Sequence, residues 1–293
     1  MEQARLKPEC IKCLIRGQLD RHPSDITEQE KTDYMQSVLK LIANAKRSVS
    51  APSIVRSIYA LQKEMFGYER DFSEIKKHFN EVMLAREGQI AGELEASPDA
   101  LRLGIQYAMT GNYIDFGAME HVDEEKLKQL LNSAKDNPID EEGYQALKAD
   151  LLRAEKIVYI TDNCGEIVLD KLLIQVIRKL NPAVSVTAIV RGEAVVNDAT
   201  MEDALQVGLT EIAGVIGNGS NVGGTCLDEI SEQARAAIDT ADVILAKGQG
   251  NFETMSECGK NVYYIFMCKC DMFAKRFAVP LYTGLLVNDK NLS

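Results

Sequence analysis

The sequence predicts an α/β protein, in which a Rossmann-like α/β/α domain with three layers and a mainly parallel sheet follows an all-helical domain. Residues up to about 150 show helical periodicity and little strand character. After that point, short apolar, β-branched runs alternate with helical patterns. Strands that alternate with crossover helices form a parallel sheet covered on both faces. The predicted domains are therefore a helical domain, 1–150, and an α/β/α domain, 151–293.

The helical half is indicated by apolar residues three and four positions apart, a spacing that lines one helix face. Two such sets are Tyr34, Val38, Leu41 and Ile42, and Ile54, Ile58, Leu61 and Met65. Further helices are expected at 121–136, which is strongly charged, and at 141–153.

The second half contains five runs that read as strands buried on both sides. They lie at 156–161, 184–190, 211–216, 242–246 and 261–267. Helical patterns between and after them lie at 166–180, 199–207, 226–240 and 253–259. Right-handed crossovers through these helices predict one mainly parallel sheet.

The charge composition excludes some classes of binding partner. The 293 residues contain 33 Lys plus Arg against 44 Asp plus Glu, a net charge of −11. This charge argues against nucleic acid or a membrane surface as the main partner. An anionic substrate would need positive charge supplied locally, by a metal ion or a few placed basic residues. No apolar stretch of about 18 residues occurs and the N-terminus lacks a signal-peptide core, so a cytoplasmic protein is expected.

Polar residues follow the first two predicted strands, where ligands of parallel sheets bind. Asp162 and Asn163 follow the first strand, and Asp198 follows the second. Two carboxylates and an amide oxygen suit Mg²⁺, Mn²⁺ or a similar ion. Asp162 and Asp198 are equally suited to cap the helices that follow, and their spacing leaves both interpretations open.

Glycine-rich segments follow the third and fourth strands. Lys247 precedes Gly-Gln-Gly-Asn, which favours an anion site over a surface lysine at an ordinary turn. The loop Gly217–Gly224 approximates a dinucleotide fingerprint, but it follows the third strand rather than the first. A substrate loop or simple turn chemistry is the alternative there.

Taken together and in order, these motifs resemble the DUF89 (ARMT1-like) family of metal-dependent damage-control phosphatases. The segments that carry the resemblance are TDNCGE at 161–166, VNDAT at 196–200, KGQGNFE at 247–253, GNYIDF at 111–116 and the pair Cys10 and Cys13. The Cys-x-x-Cys and KGQGNFE segments resemble the prokaryote-type subgroup.

The resemblance implies a helical domain beside an α/β/α sheet and hydrolysis of small phosphorylated metabolites, such as sugar phosphates, with one divalent ion (Mn²⁺, Co²⁺, Ni²⁺ or Mg²⁺). It assigns metal binding to Asp162, Asn163 and Asp198. It places Lys247 and Asn251 at the phosphate, and Asn112 and Asp115 in the cleft.

The mechanism expected on this basis is attack of a metal-bound water on phosphorus. Lys247 and the amides of 248–251 would stabilise the phosphoryl oxygens, with Arg191 adding positive charge. Either Asp115 or Glu166 would orient or deprotonate the water. The alternatives are an S-adenosylmethionine-dependent carboxyl methyltransferase, with Gly217–Gly224 as its cofactor loop, and a non-catalytic sugar- or nucleotide-binding protein.

The cysteines form two close pairs, Cys10 with Cys13 and Cys268 with Cys270. Four thiolates could bind a structural Zn²⁺ ion. Reduced thiols or a redox pair are the other interpretations. Cys164 is expected to be a small packed residue rather than a nucleophile.

Overall fold

The structure is a computed structural model that describes residues 6–19, 21–23, 25–46, 48–67, 69–117 and 122–292. By packing, the chain divides into two compact units, Met1–Asp71 and Phe72–Ser293. No helix of the described ranges is long and apolar enough to cross a membrane.

The first unit consists of helices α1 (Pro8–Gln18), α2 (Glu28–Asn44) and α3 (Ala51–Phe66). Thr27 begins α2 with a capping box, in which its side chain and that of Glu30 satisfy each other's backbone N–H groups. The core of the unit contains Leu14, Tyr34, Val38, Ile42, Ile54 and Ile58. The apolar spacing in the sequence therefore marks the buried faces of α2 and α3.

The second unit begins with four helices, α4 (Ser73–Ala96), α5 (Ala100–Gly111), α6 (Glu124–Asn132) and α7 (Glu141–Arg153). Three of them start at an aspartate whose carboxylate accepts a backbone N–H of the first turn: Asp99, Asp123 and Asp140. The predicted segment 141–153 coincides with α7.

Six strands follow, β1 (Lys156–Ile160), β2 (Ser185–Val190), β3 (Gly214–Gly217), β4 (Val243–Lys247), β5 (Val262–Met267) and β6 (Gly284–Asn288). They form one sheet in the order β3-β2-β1-β4-β5-β6. All neighbouring pairs are parallel except β5 with β6. The helices of this half are α8 (Glu166–Leu180), α9 (Met201–Gln206), α10 (Glu232–Thr240), α11 (Gly248–Met255) and α12 (Asp271–Phe277). The predicted α/β fold with a mainly parallel sheet is confirmed.

Side chains that point alternately to the two faces of the sheet form a hydrophobic core on each face. In β1, Ile157 and Tyr159 join the larger cluster with α5 and α8, whereas Val158 and Ile160 join the cluster around Phe252. Both sets are buried because side chains of a strand point alternately to its two faces. This explains why the strand sequences are apolar throughout.

Four features differ from the sequence prediction. The antiparallel strand β6 was not predicted. Helix α11 begins at Gly248 rather than near 253, directly after β4, and helix α10 is shorter than the predicted 226–240. The predicted boundary at residue 150 marks where helices give way to strands, whereas packing divides the chain at Asp71, because α4 and α5 contact α8.

Candidate active site

The candidate site lies at the carboxyl ends of β1, β2 and β4. The strand order reverses between β1 and β4, because β1 connects onward to β2 on one side and β4 to β5 on the other. Open parallel sheets bind ligands at such a switch point, since the two loops there diverge and leave a crevice.

The main chain fixes the three predicted metal ligands next to one another. Asn163 and Asp198 form an isolated antiparallel bridge. The N–H of Ala199 donates to the carbonyl of Asp162 at 2.7 Å, and the N–H of Cys164 donates to that of Asn197 at 2.8 Å. The two strand ends are thus held together by backbone hydrogen bonds, with Asp162, Asn163 and Asp198 all buried.

The helix-capping interpretation of the two aspartates is wrong. Helix α8 has Gly165 at its N-cap position, and α9 has Thr200, which forms a capping box with Asp203. Asp162 and Asp198 lie before these caps, so neither carboxylate is used to begin a helix.

The electrostatics of this pair favour a bound cation. Burial, then the charges of Asp198 and Glu166, raise the pKa of Asp162 well above its usual value. Burial raises the pKa of Asp198 to about 6, although Arg191 opposes the shift. Carboxylates held together out of water repel each other, and a cation removes that cost. The described residues include no cluster of three His, Cys, Asp or Glu suited to a metal, so the third ligand here would be the amide oxygen of Asn163. This hard oxygen set fits a divalent ion such as Mg²⁺ or Mn²⁺.

Several side chains hold the Asp162 carboxylate in place. Its Oδ2 accepts the side-chain N–H groups of Asn112 at 3.0 Å and Asn163 at 2.6 Å. Its Oδ1 lies 3.6 Å from Nη2 of Arg191. Gly248, at φ +81°, passes so close that a Cβ there would lie 2.0 Å from Oδ2. The first glycine of the KGQG segment therefore makes room for the Asp162 carboxylate.

Arg191 and Asn251 complete this side of the site. The guanidinium donates from Nε to Asp198 Oδ2 at 2.5 Å and from Nη2 to Asn251 Oδ1 at 3.4 Å. The amide of Asn251 donates to the carbonyls of Thr161 at 3.1 Å and Lys247 at 2.6 Å, which ties the end of β1 to the start of α11. Thr225, which sequence reasoning missed, donates its hydroxyl to Asn251 Oδ1 at 2.8 Å.

Lys247 is surrounded by acceptors of the protein. Its Nζ donates to the carbonyl of Ala108 at 2.9 Å and to Glu166, and it lies 3.2 Å from Asp170 Oδ1. Burial lowers the pKa of Lys247, but the charges of Asp170 and Glu166 outweigh it and the pKa is raised. Three acceptors match the three N–H groups of an ammonium. This arrangement differs from the expected direct contact of Lys247 with phosphate.

The structure adds a second lysine that the sequence interpretation missed. Lys269 follows β5, and its Nζ donates to Asp115 Oδ2 at 2.6 Å while its side chain is 2% exposed. Its charge lowers the pKa of Asp162, so Lys269 lies close enough to act on that carboxylate. Its position just after the fifth predicted strand is the sequence signal that marks it.

Asp115 and Asn112 lie in the loop and helix end that the GNYIDF segment forms. Asp115 Oδ1 accepts the N–H of Gly117 at 2.8 Å. Asn197 fixes this loop on the sheet, since its Oδ1 accepts the N–H of Phe116 at 2.9 Å and its Nδ2 donates to the carbonyl of Ile114 at 3.2 Å. Asn112, Asp115, Asp162 and Lys269 are therefore brought to one place from distant parts of the sequence.

The loop Gly217–Gly224 is closely packed against its neighbours. A Cβ at Gly224 would lie 2.6 Å from the carbonyl oxygen of Gly250, and one at Gly192 would lie 2.3 Å from the backbone N of Gly219. Asn218 Oδ1 accepts the N–H groups of Gly192 at 2.8 Å and Ser220 at 2.9 Å. The glycines of this loop thus allow close backbone packing, which favours the turn interpretation over a cofactor loop.

The cysteine pairs lie in different units. Cys10 and Cys13 are one turn apart on α1, and Cys13 is exposed. Cys268 and Cys270 follow β5, and Cys268 is buried. Cys164 is buried beside Asn197, and burial raises its pKa, as expected of a packed thiol. A structural zinc site stays a prediction.

An open, mainly parallel α/β sheet with acidic and basic side chains at its switch point is the architecture of a Rossmann-like protein. Residues 6–285 match the family described as damage-control phosphatase ARMT1-like domain, and the chain belongs to this family. The prokaryote-type subgroup stays a prediction.

Relatives of similar length support this assignment. The chain is 31% identical to a damage-control phosphatase of Archaeoglobus fulgidus over 94% of this chain and 96% of that one. It is 32% identical to damage-control phosphatase PH1575 of Pyrococcus horikoshii over 98% of both. The crystal structure of that DUF89 family protein matches with a TM-score of 0.77 at 29% identity, covering 97% of this chain and 99% of the other.

Proposed function

We propose that this protein is a metal-dependent phosphatase that hydrolyses small phosphorylated metabolites. The observation that carries the proposal is the pair of buried carboxylates, Asp162 and Asp198. A backbone bridge between Asn163 and Asp198 holds them next to the Asn163 amide. The relatives named damage-control phosphatases support the reaction class.

The three residues Asp162, Asn163 and Asp198 would hold one divalent ion, with Mn²⁺, Co²⁺, Ni²⁺ and Mg²⁺ as candidates. When bound, such an ion lowers the pKa of a coordinated water and polarises a phosphoryl oxygen. Arg191 adjoins both carboxylates and Lys269 pairs with Asp115, so both cations border the site proposed for the ion and the phosphoryl group. We propose that they bind its oxygens together with the backbone N–H groups at the start of α11.

The geometry favours Asp115 over Glu166 as the group that accepts the proton of the attacking water. The Asp115 side chain is 18% exposed and borders the site. Glu166 is 0% exposed, and its carboxylate already accepts hydrogen bonds from Asn112, Asn163 and Lys247. We therefore assign water orientation and deprotonation to Asp115, and a holding role to Glu166.

The test is a phosphatase assay on the purified full chain with p-nitrophenyl phosphate and a panel of sugar phosphates. We expect turnover with at least one of the four ions, loss of turnover on chelation, and recovery when the ion is restored. Asp162→Ala is expected to remove activity. Asp228→Ala, which changes an exposed aspartate, is the control and is expected to keep it. Absence of turnover with all four ions, or an active Asp162→Ala variant, would refute the proposal.

A further inference from the structure

A network of buried charges lies beneath the candidate metal ligands. It consists of Lys247, Glu166, Asp170 and Tyr159, and we call it the lysine network. The side chains of Lys247, Glu166 and Asp170 are each 0% exposed. Burying three charges is costly unless their arrangement serves a purpose that packed apolar residues could not fulfil.

One end of the network is anchored in β1 and α8. The Tyr159 hydroxyl donates to Asp170 Oδ1 at 2.7 Å, and the same oxygen lies 3.2 Å from Lys247 Nζ. Asp170 lies four residues after Glu166, so the two carboxylates occupy one face of α8 and reach the same ammonium. Asp170 Oδ2 is buried without a hydrogen bond among the described residues, which adds to the cost of this arrangement.

The other end of the network reaches the metal ligands through Glu166. Its carboxylate accepts Asn112 Nδ2 at 3.0 Å, Asn163 Nδ2 at 3.0 Å and the N–H of Asn163 at 3.3 Å. The same two amides donate to Asp162 Oδ2. Glu166 and Asp162 therefore hold the side-chain NH₂ groups of Asn112 and Asn163 together.

The orientation of the Asn163 amide matters because its two ends differ chemically. An amide nitrogen cannot bind a cation, whereas the oxygen can. With its NH₂ group held by the Glu166 and Asp162 carboxylates, Asn163 presents Oδ1 on the opposite side. Without a correctly placed Glu166 carboxylate, the amide could turn over and present N–H groups to the cation.

We propose that Lys247 and Asp170 are positioning residues, which hold the Glu166 carboxylate so that Asn163 and Asp162 present oxygen atoms to a divalent cation. Lys247 acts through Glu166 rather than by touching the phosphoryl group. The inference rests on the proposed function for the presence of the cation, but it is tested by cation binding without substrate.

The experiment titrates the full chain with Mn²⁺ alone by calorimetry, and then measures KM for p-nitrophenyl phosphate at saturating Mn²⁺. For Lys247→Gln we expect the Mn²⁺ dissociation constant to rise about 10- to 100-fold, the range typical of groups that orient metal ligands. KM at saturating Mn²⁺ is expected to stay within about twofold. Lys247→Gln combined with Asp170→Asn should weaken binding by less than the product of the single effects, because both act on Glu166.

Lys171→Gln is the matched control. Lys171 lies on α8, the helix of Glu166 and Asp170, and its side chain is 9% exposed. It forms an ion pair with Glu87 at 2.6 Å and donates to the carbonyl of Val207 at 2.6 Å. Its loss should lower stability and leave Mn²⁺ affinity unchanged. Tyr159→Phe removes one hydroxyl with little change of shape, and should weaken Mn²⁺ binding severalfold even if Lys247→Gln does not fold.

Two outcomes would overturn the inference. One is unchanged Mn²⁺ affinity in Lys247→Gln with a raised KM and weakened inhibition by inorganic phosphate, which would place Lys247 on the substrate. The other is a wild-type chain that binds none of Mn²⁺, Co²⁺, Ni²⁺ and Mg²⁺. A wild-type chain that binds Mn²⁺ but hydrolyses no phosphate ester would refute the proposed function, while the titrations would still decide the role of Lys247.

Discussion

Replacing Gly248 with alanine separates two roles of this glycine, its backbone conformation and the space it leaves for Asp162. At φ +81° an alanine is strained, which costs about 1–2 kcal/mol. In addition, the new Cβ would lie 2.0 Å from Asp162 Oδ2, against at least 3.4 Å in ordinary contact, so the oxygen must move by 3.4 − 2.0 = 1.4 Å. A displacement of about 1 Å in a catalytic group can lower a rate about 100-fold.

The control is Gly259→Ala, which has a similar φ of +74° but no atom within 4 Å of the added Cβ. Both variants should lose about 2–8 °C of melting temperature, given about 2–4 °C per kcal/mol in a protein of this size. Only Gly248→Ala should also lose about 100-fold in kcat/KM and bind Mn²⁺ more weakly. The assays are thermal denaturation, p-nitrophenyl phosphate hydrolysis and Mn²⁺ titration. Equal activity of the two variants would refute the claim that Gly248 makes room for a metal ligand.

Three further predictions concern single groups. Asp198→Asn is expected to raise the Mn²⁺ dissociation constant by at least about 100-fold, since losing a ligand should weaken binding more than losing a group that orients one. Calorimetry measures this constant, and a rise of less than about threefold would contradict the ligand assignment. Asn80→Ala is expected to cost about 1–3 kcal/mol in urea unfolding, because it leaves the buried N–H of Gly165 without its 2.6 Å acceptor; a loss under about 0.5 kcal/mol would show that another group replaces it. Burial raises the pKa of Asp150, but hydrogen bonds from Asn261 and Tyr263 lower it more, so the folded-state pKa is depressed. The stabilisation from Asp150 is then present above the unfolded pKa and lost as pH falls through the folded pKa. Asp150→Asn should cost about 1–2 kcal/mol at pH 7 and progressively less in acid, and a pH-independent difference in unfolding free energy would contradict this.

The sequence predicts the fold well because buried parallel strands have a strong local signal. The strands from β1 to β5 appear as apolar runs, and the polar residues at their ends mark the candidate site. Strand β6 has an apolar run as well, but a local pattern does not set the direction of a strand, so its antiparallel pairing with β5 depends on tertiary contacts. The sequence does not predict the start of α11, because glycines suggest a loop, whereas the Asn251 amide donates to the Lys247 carbonyl and stabilises the first turn.

The sequence predicts only those residues of the candidate site whose neighbours follow from their position at the end of a strand. Asp162, Asn163 and Asp198 follow adjacent strands, so parallel topology alone brings them together. The partners of Lys247 could not be inferred in that way. They depend on the packing of α5 and α8 beneath the strand end, which supplies the Ala108 carbonyl and the carboxylates of Glu166 and Asp170.

The backbone bridge between Asn163 and Asp198 has a consequence for the lifetime of the folded chain. Because this bridge holds the ends of β1 and β2 together in the folded chain, binding of the proposed ion there would link folding to cation supply. An ion at 100 times its dissociation constant would stabilise the folded state by about 2.7 kcal/mol. In a cell deprived of that ion, the protein would lose this margin and unfold more often.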